Sequence, residues 1–183
     1  MAQTSFVSVA ENPFLNAALL ILIGCLALTG SSYVAIPMVP VPITGQTLAV
    51  TLIGALYGWR LGMLTIAVWL GLGAAGLPVF SGGSGGADAF TGPTAGYLVA
   101  FVFAAGATGW LVEQGWNAAR WGLAFAAMLI GNAICLTVGA GWLASQIGTE
   151  LALSNGLYPF LPGAVIKSAM GAGALVLVRR WFP

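Results

Sequence analysis

The sequence predicts an all-α membrane protein, a bundle of six transmembrane helices with both termini cytoplasmic. Of its 183 residues, 60% are hydrophobic and only 5% are charged, whereas about a quarter of residues are charged in ordinary soluble domains. Six apolar stretches approach the ~20 residues that cross a bilayer core. Every arginine falls on one side of these stretches, and the positive-inside rule places that side in the cytoplasm.

The six apolar stretches occupy the whole chain, which is therefore treated as one domain, residues 1–183. Backbone groups cannot reach water inside lipid, so each stretch is expected to be a helix. The ten-residue alternation of a membrane β-barrel is missing. Only Trp59 and Arg60 separate the second stretch from the third, which predicts a tight helical hairpin. The predicted spans are 14–31, 44–58, 61–77, 94–112, 120–143 and 160–178.

The two ends of the bundle differ in composition. The cytoplasmic end carries the arginines and a belt of tryptophans, which are typical of a membrane interface. No basic segment precedes the first span, so it is expected to be retained and not cleaved as a signal peptide. A multi-pass protein of the cytoplasmic (inner) membrane is predicted.

The loops of the outer end are unusual. Residues 31–44 alternate prolines and aliphatic residues, and such a segment is stiff and extended, which suits a lid. Residues 82–86 read Gly-Gly-Ser-Gly-Gly, and glycine permits positive φ and close approach of the backbone to a ligand. Gly82, Gly83, Ser84, Gly85 and Gly86 are therefore candidate ligand contacts. A plain connection between two membrane helices is the alternative interpretation.

Composition excludes several functions. The chain has no histidine, and its four acidic residues lie outside the predicted spans, so a general base or metal cluster within the membrane has no candidates. No cofactor is predicted. A net charge of +1 without a basic cluster argues against nucleic acid as a partner. The lysine lacks the preceding glycine of a phosphate-binding loop, so the chain is not expected to hydrolyse ATP.

Lys167 is the one charge in the interior of a predicted span, since Arg120 stands at the very start of its own, and it is the leading candidate for ligand binding. A lone ammonium in the membrane is costly and is usually aimed at a polar cavity, although its long stem can also carry the amine to the interface. Asn132 is the second polar group within a span, and it fits either ligand contact or interhelical hydrogen bonding. Trp69 and Tyr97 are candidates for the apolar wall of a pocket, and Trp69 could instead face lipid.

Several motifs, in the same order along almost the whole chain, resemble the BioY family, the biotin-specific substrate-binding (S) components of energy-coupling factor (ECF) vitamin transporters. They are VPITGQTLAV at 41–50, GLGAAGLPVF at 71–80, GPTAGYL at 92–98, GN at 131–132, GAGWL at 139–143 and PFLPG at 159–163, followed by Lys167.

The resemblance implies capture of biotin near the outer face, under the first loop. It also implies two kinds of protein partner, a membrane coupling (T) subunit and two cytoplasmic ABC-type ATPases, and no enzymatic activity of its own. The family has an Asp-x-x-Lys pair at the start of the last helix. This chain keeps Lys167 but has Ala164 at the acidic position, and it has Gly82 where some relatives have asparagine. Gln46, Asn132 or the backbone of 82–86 is then expected to contact the ureido ring of biotin.

Three other functions fit parts of the same sequence. An S component for a different vitamin would share the fold. A small-solute channel or facilitator would also lack histidine and be rich in glycine, but it would pass its substrate rapidly without ATP. An intramembrane enzyme is disfavoured by the absent acids and bases.

Overall fold

The computed structural model describes residue 9 and residues 11–181, and it is almost entirely helical. A short antiparallel strand pair follows the first helix, and a π-turn and a 3₁₀-turn precede the last helix. The elements are α1 (Pro13–Tyr33), β1 (Ala35–Ile36), β2 (Ile43–Thr44), α2 (Gln46–Ala74), α3 (Ala95–Glu113), α4 (Trp121–Ile147), α5 (Thr149–Ala152) and α6 (Leu161–Trp181).

Local signals explain where the first helix begins. The side chain of Asn12 accepts hydrogen bonds from the backbone N–H groups of Phe14 and Leu15, at 3.0 and 3.3 Å. These donors have no partner within the helix, so an asparagine cap stabilises the helix start. Pro13 occupies the first helical position, where its missing N–H costs nothing.

Helix α2 is interrupted at Gly58, whose φ of 79° and ψ of 170° are not helical. The chain reverses direction there. In a straight helix, residues 54 and 62 would be about 12 Å apart, yet a Cβ atom built on Gly62 would lie 3.0 Å from the Cα atom of Gly54. The reversal lies one residue before Trp59 and Arg60, where the sequence predicted a tight hairpin.

The long helices are membrane-like in composition. Five helical segments of the described chain are long and apolar enough to cross a bilayer, with Gln46–Ala74 counted once and Thr149–Arg180 counted as one segment. Large apolar side chains cover the outside of the bundle, among them Phe14, which is 85% exposed, and Leu26, which is 64% exposed. A surface of this kind suits lipid and not water.

Glycine allows α2 and α3 to pack with their backbones close together. A Cβ atom on Gly54 would lie 2.9 Å from the carbonyl carbon and the Cα atom of Ala105, and one on Gly109 would lie 2.6 Å from the backbone nitrogen of Trp59. Small residues at crossings are the usual means of packing helices in membranes. The Trp59 N–H also donates to Glu113 Oε1 at 3.1 Å, which fixes the reversal of α2 against the end of α3.

The end of the bundle opposite Gly58 carries the β1–β2 hairpin and the segment between α2 and α3. Strands β1 and β2 pair Ala35 with Thr44 and Ile36 with Ile43, so the proline-rich segment forms a hairpin. The hydroxyl of Tyr33 donates to the carbonyl of Pro78 at 2.8 Å and thereby joins this segment to the one that follows α2. The two connections form one structure over the helix ends.

Candidate ligand-binding site

A cavity of about 190 Å³ lies at this end of the bundle, beneath the β1–β2 hairpin. Its lining comes from residues far apart in the sequence, including the hairpin, the segment before α3 and the first turns of α6. The apolar lining residues are Val41, Pro42, Phe80, Ala89, Leu98, Phe101, Leu136, Phe160 and Ala164, and the polar ones are Thr44, Gln46, Thr47, Ser81, Ser84, Thr94, Tyr97, Asn132 and Lys167.

Lys167 lines this cavity from α6. Its ammonium donates to the main-chain carbonyl of Thr44 at 2.8 Å and to the hydroxyl of Thr47 at 3.1 Å. An ammonium has three donors, so one remains for a ligand. The amine is thus held between the cavity and the β1–β2 hairpin.

Gln46 is the first residue of α2 and is 5% exposed. Its side-chain amide donates to the Ser32 hydroxyl at 2.9 Å, and its carbonyl oxygen accepts from the Thr44 hydroxyl at 2.7 Å. The side chain therefore ties the start of α2 to the end of α1 at the cavity wall. Its carbonyl oxygen already has a protein partner.

Asn132 lies in α4 and is 1% exposed. Its amide nitrogen donates to the Met128 carbonyl at 3.0 Å and to the Ser168 hydroxyl at 3.1 Å. Its carbonyl oxygen accepts no hydrogen bond from the part of the chain that the structure describes. Within that part, every fully enclosed side-chain nitrogen or oxygen has a partner. The unpartnered oxygen of Asn132 must therefore face open space, and the space it lines is the cavity.

Aromatic rings form much of the apolar wall. Tyr97 stacks on Phe160 with ring centroids 6.2 Å apart, and its hydroxyl donates to the Gly156 carbonyl at 2.7 Å. Trp69 is fully buried but is not a lining residue. Its ring lies 5.0 Å from Phe80 and 6.4 Å from Phe101, both of which line the cavity.

The expectation that Trp69 forms the pocket wall, or faces lipid, is therefore corrected. Phe80 and Phe101 occupy the wall, and Trp69 supports them from behind. The Trp69 indole N–H donates to the Thr29 hydroxyl at 3.2 Å, which directs this ring toward α1. A tryptophan in the second layer can still shape the pocket by holding the first.

The glycine-rich segment contributes less than the sequence predicts. Gly82, Gly83 and Gly86 have positive φ, as expected. Of the five candidates, only Ser84 lines the cavity; Gly82, Gly83, Gly85 and Gly86 do not. Their backbone groups serve the loop itself: the Gly86 N–H donates to the Gly73 carbonyl at 2.7 Å and the Gly83 N–H to the Phe80 carbonyl at 3.1 Å. These glycines shape the loop that places Phe80, Ser81 and Ser84.

Comparison with known proteins agrees with this architecture. The sequence model of the BioY family matches residues 3–183. The chain belongs to the BioY family. It is 38% identical to the biotin transporter BioY of Rhizobium etli over 79% of this chain and 82% of that protein. It is 34% identical to the biotin transporter BioY2 of Lactococcus lactis over 87% and 88% of the two chains.

A solved structure also matches this chain. The crystal structure of the S component for biotin from an ECF-type ABC transporter superposes with a TM-score of 0.83 at 27% identity, covering 94% of this chain and 95% of that one. Together with the apolar helices, these relatives show that this BioY family member is a multi-pass membrane protein.

Sequence reasoning missed several lining residues of this BioY protein. Thr47 and Thr44 hold the lysine, and both stand in the segment that carries the family resemblance. Phe80, Phe101 and Phe160 form the apolar wall, but phenylalanine in a membrane helix gives no signal that separates a pocket from lipid. Within the described residues, no three His, Cys, Asp or Glu side chains lie close enough together to hold a metal ion. The lining offers an ammonium, two side-chain amides and hydroxyls. Such groups suit an organic ligand with hydrogen-bonding atoms.

Proposed function

We propose that this protein captures biotin with high affinity and delivers it across the membrane as the substrate-specific subunit of an ECF-type, ATP-driven importer. The observation that carries the proposal is the cavity, whose surface is mostly apolar and whose lining includes four aromatic rings, one ammonium, two side-chain amides and several hydroxyls. Biotin combines an apolar bicyclic ring and chain with one ureido group and one carboxylate, and a ligand of that kind calls for such a pocket. Membership of the BioY family supports the same ligand.

Lys167, Asn132, Tyr97, Gln46 and Ser84 are the proposed ligand-binding or ligand-framing residues. Lys167 supplies the positive charge and a free donor. Tyr97 supplies a ring face, while Gln46 and Ser84 supply polar groups of the lining. The glycines of 82–86 act by shaping the loop.

The proposed arrangement in the membrane has six spans, with the two arms of α2 counted separately on either side of Gly58. Both termini then lie in the cytoplasm of an inner membrane, and the cavity opens outward. The arginine side chains at the opposite end support this orientation.

The proposed transport cycle depends on partners. A membrane coupling subunit and two cytoplasmic ATPases supply the energy, because the sequence has neither a nucleotide-binding motif nor a set of intramembrane acids that would relay ions. The subunit itself is proposed to be a binding and carrier protein without catalytic activity.

Isothermal titration of the purified protein with biotin, thiamin and riboflavin tests the ligand. We expect saturable 1:1 binding of biotin and no binding of the other two. Binding of thiamin or riboflavin in place of biotin would assign the chain to another vitamin.

Uptake into liposomes tests the mechanism. We expect the protein alone to bind biotin without accumulating it, and accumulation to appear only when the coupling subunit, both ATPases and ATP are present. Rapid equilibration of biotin by the protein alone would identify a facilitator instead, and uphill uptake without the ATPases would contradict the importer mechanism.

A further inference from the structure

The polar groups of the cavity differ in how far the protein already satisfies them. The carbonyl oxygen of Gln46 accepts from Thr44, and the hydroxyl of Tyr97 donates to Gly156. Lys167 uses two of its three donors. Asn132 differs from these because its Oδ1 atom, which is open to the cavity, receives no hydrogen bond from any described residue.

The Asn132 side chain is held rigidly. Its Nδ2 atom donates two hydrogen bonds, one to the Met128 carbonyl of its own helix and one to the Ser168 hydroxyl of α6. Ser168 in turn donates to the Ala164 carbonyl at 2.7 Å. Because a main-chain carbonyl can only accept, Nδ2 must be the atom that faces Met128, and this fixes Oδ1 on the cavity side.

A carbonyl oxygen that is open to the cavity and has no protein donor is available to a ligand, and a ligand that filled the cavity without offering it an N–H would leave it buried and unsatisfied. Asp and Glu are absent from the lining of the cavity, so no carboxylate competes for such a donor. Ser168, the partner of Asn132, directly follows Lys167 in the chain. The wall that carries the free acceptor Asn132 Oδ1 therefore also carries the free N–H donor of Lys167.

We infer that Asn132 Oδ1 is the acceptor for a ring N–H of the ligand, and that it thereby selects cyclic ureas. This inference rests on the proposed function, since biotin's donors at neutral pH are its two ureido N–H groups: its carboxyl group is ionised and its thioether has no hydrogen. Asn132 then recognises the ureido edge of the ring, with its Nδ2 atom kept in place by Ser168.

This contact is tested by a cycle that combines a protein variant with ligand analogues. Affinities for biotin and for each of its two ureido N-methyl derivatives are measured in the parent protein and in Asn132→Leu. We expect the parent to bind one derivative at least ~10-fold more weakly than biotin, as expected for a lost hydrogen bond that leaves a buried acceptor unsatisfied. Asn132→Leu should bind biotin about 10-fold more weakly and no longer distinguish it from that derivative.

Asn155→Leu is the matched control. Asn155 also donates through Nδ2 to the carbonyl four residues before it, that of Leu151, at 2.9 Å, but it is only partly buried and does not line the cavity. This variant should keep the parent's affinity and its discrimination between biotin and the methylated derivative. If Asn132→Leu discriminates as strongly as the parent, the inference is overturned.

A measurement on the unmutated protein covers the case in which Asn132→Leu does not fold. With ¹⁵N in the ureido group of biotin and ¹³C at asparagine Cγ, solid-state NMR should detect one asparagine Cγ about 4 Å from a ureido nitrogen, the separation that a hydrogen bond of ordinary length gives. Bound biotin without such a contact would overturn the role of Asn132 and leave biotin capture intact. Failure of the parent to bind biotin at all would overturn both proposals.

Discussion

The ammonium of Lys167 donates a 2.8 Å hydrogen bond to the main-chain carbonyl of Thr44, a residue 123 positions earlier in the chain. The bond joins the first turns of α6 to the end of β2, directly beneath the hairpin over the cavity. A second bond, to the hydroxyl of Thr47, reaches the start of α2. One side chain thus faces the cavity and at the same time holds the segment that covers it.

Lys167→Met is the direct test of this residue. Methionine keeps most of the apolar stem and removes the ammonium, so the variant should insert and fold while its dissociation constant for biotin rises at least ~10-fold. The reason is the loss of a charge-assisted hydrogen bond, which is typically worth ~1.5 to 3 kcal/mol. Isothermal titration measures the change.

Arg60→Met is the matched control for this substitution. Arg60 is also a cation within a long helix, but it stacks on Trp59, 4.9 Å from the ring centroid, at the end opposite the cavity. Its removal should leave biotin affinity unchanged. Parent-like binding by Lys167→Met would contradict the assignment of Lys167 to the site.

Tyr33→Phe should accelerate the release of biotin. The substitution removes the hydroxyl that joins the end of α1 to Pro78 and so loosens the two connections over the cavity. Because Tyr33 is 56% exposed and the bond is between neutral groups, we expect a modest effect, about a 2- to 5-fold higher dissociation rate. Stopped-flow displacement of labelled biotin measures it.

Tyr158→Phe provides the comparison. Tyr158 is 57% exposed and does not line the cavity, so the loss of its hydroxyl should not affect release. Equal dissociation rates for the parent and Tyr33→Phe would show that this bond does not restrain the cover of the site.

Gly54→Ala should destabilise the bundle. The added methyl group would lie 2.9 Å from backbone atoms of Ala105, and a backbone contact cannot be relieved by a rotamer change. Overpacking of this kind costs about 1 to 3 kcal/mol, so the melting temperature in detergent should fall by several degrees.

Gly71→Ala lies in the same helix and has no heavy atom within 4 Å of the added methyl group. Because alanine favours helix over glycine, this variant should be as stable as the parent or more stable. If both variants melt alike, the close crossing of α2 and α3 is not what limits stability.

Cysteine labelling tests the orientation. The native Cys25 and Cys135 are buried, so a new cysteine can be followed separately. Ser84→Cys, at the cavity end, should react with a membrane-impermeant reagent added to intact cells. Gln114→Cys, at the opposite end after α3, should react only after the membrane is opened. The reverse pattern would place the termini outside.

The sequence alone was enough to predict the class of fold and most helix positions. A segment that crosses lipid must be apolar and long enough to span the bilayer core, and both properties can be read from the sequence. Because its backbone groups cannot reach water there, such a segment must be helical. The predicted spans therefore lie close to α1, α3, α4 and α6, and the hairpin at Trp59–Arg60 is found one residue earlier. Lys167 could be singled out for the same reason, since a charge within an apolar run is costly.

Tertiary structure decided which side chains meet. Trp69 and Phe80 are equally apolar, yet Phe80 lines the cavity and Trp69 lies behind it, because the loop after α2 folds back over the helix ends. Asn132 is a candidate from sequence, but only the bonds of its Nδ2 atom to Met128 and Ser168 show that Oδ1 is left free. Such relationships depend on helix crossing angles and rotamers, which bring together residues far apart in the chain. No periodic pattern in the sequence reports these contacts.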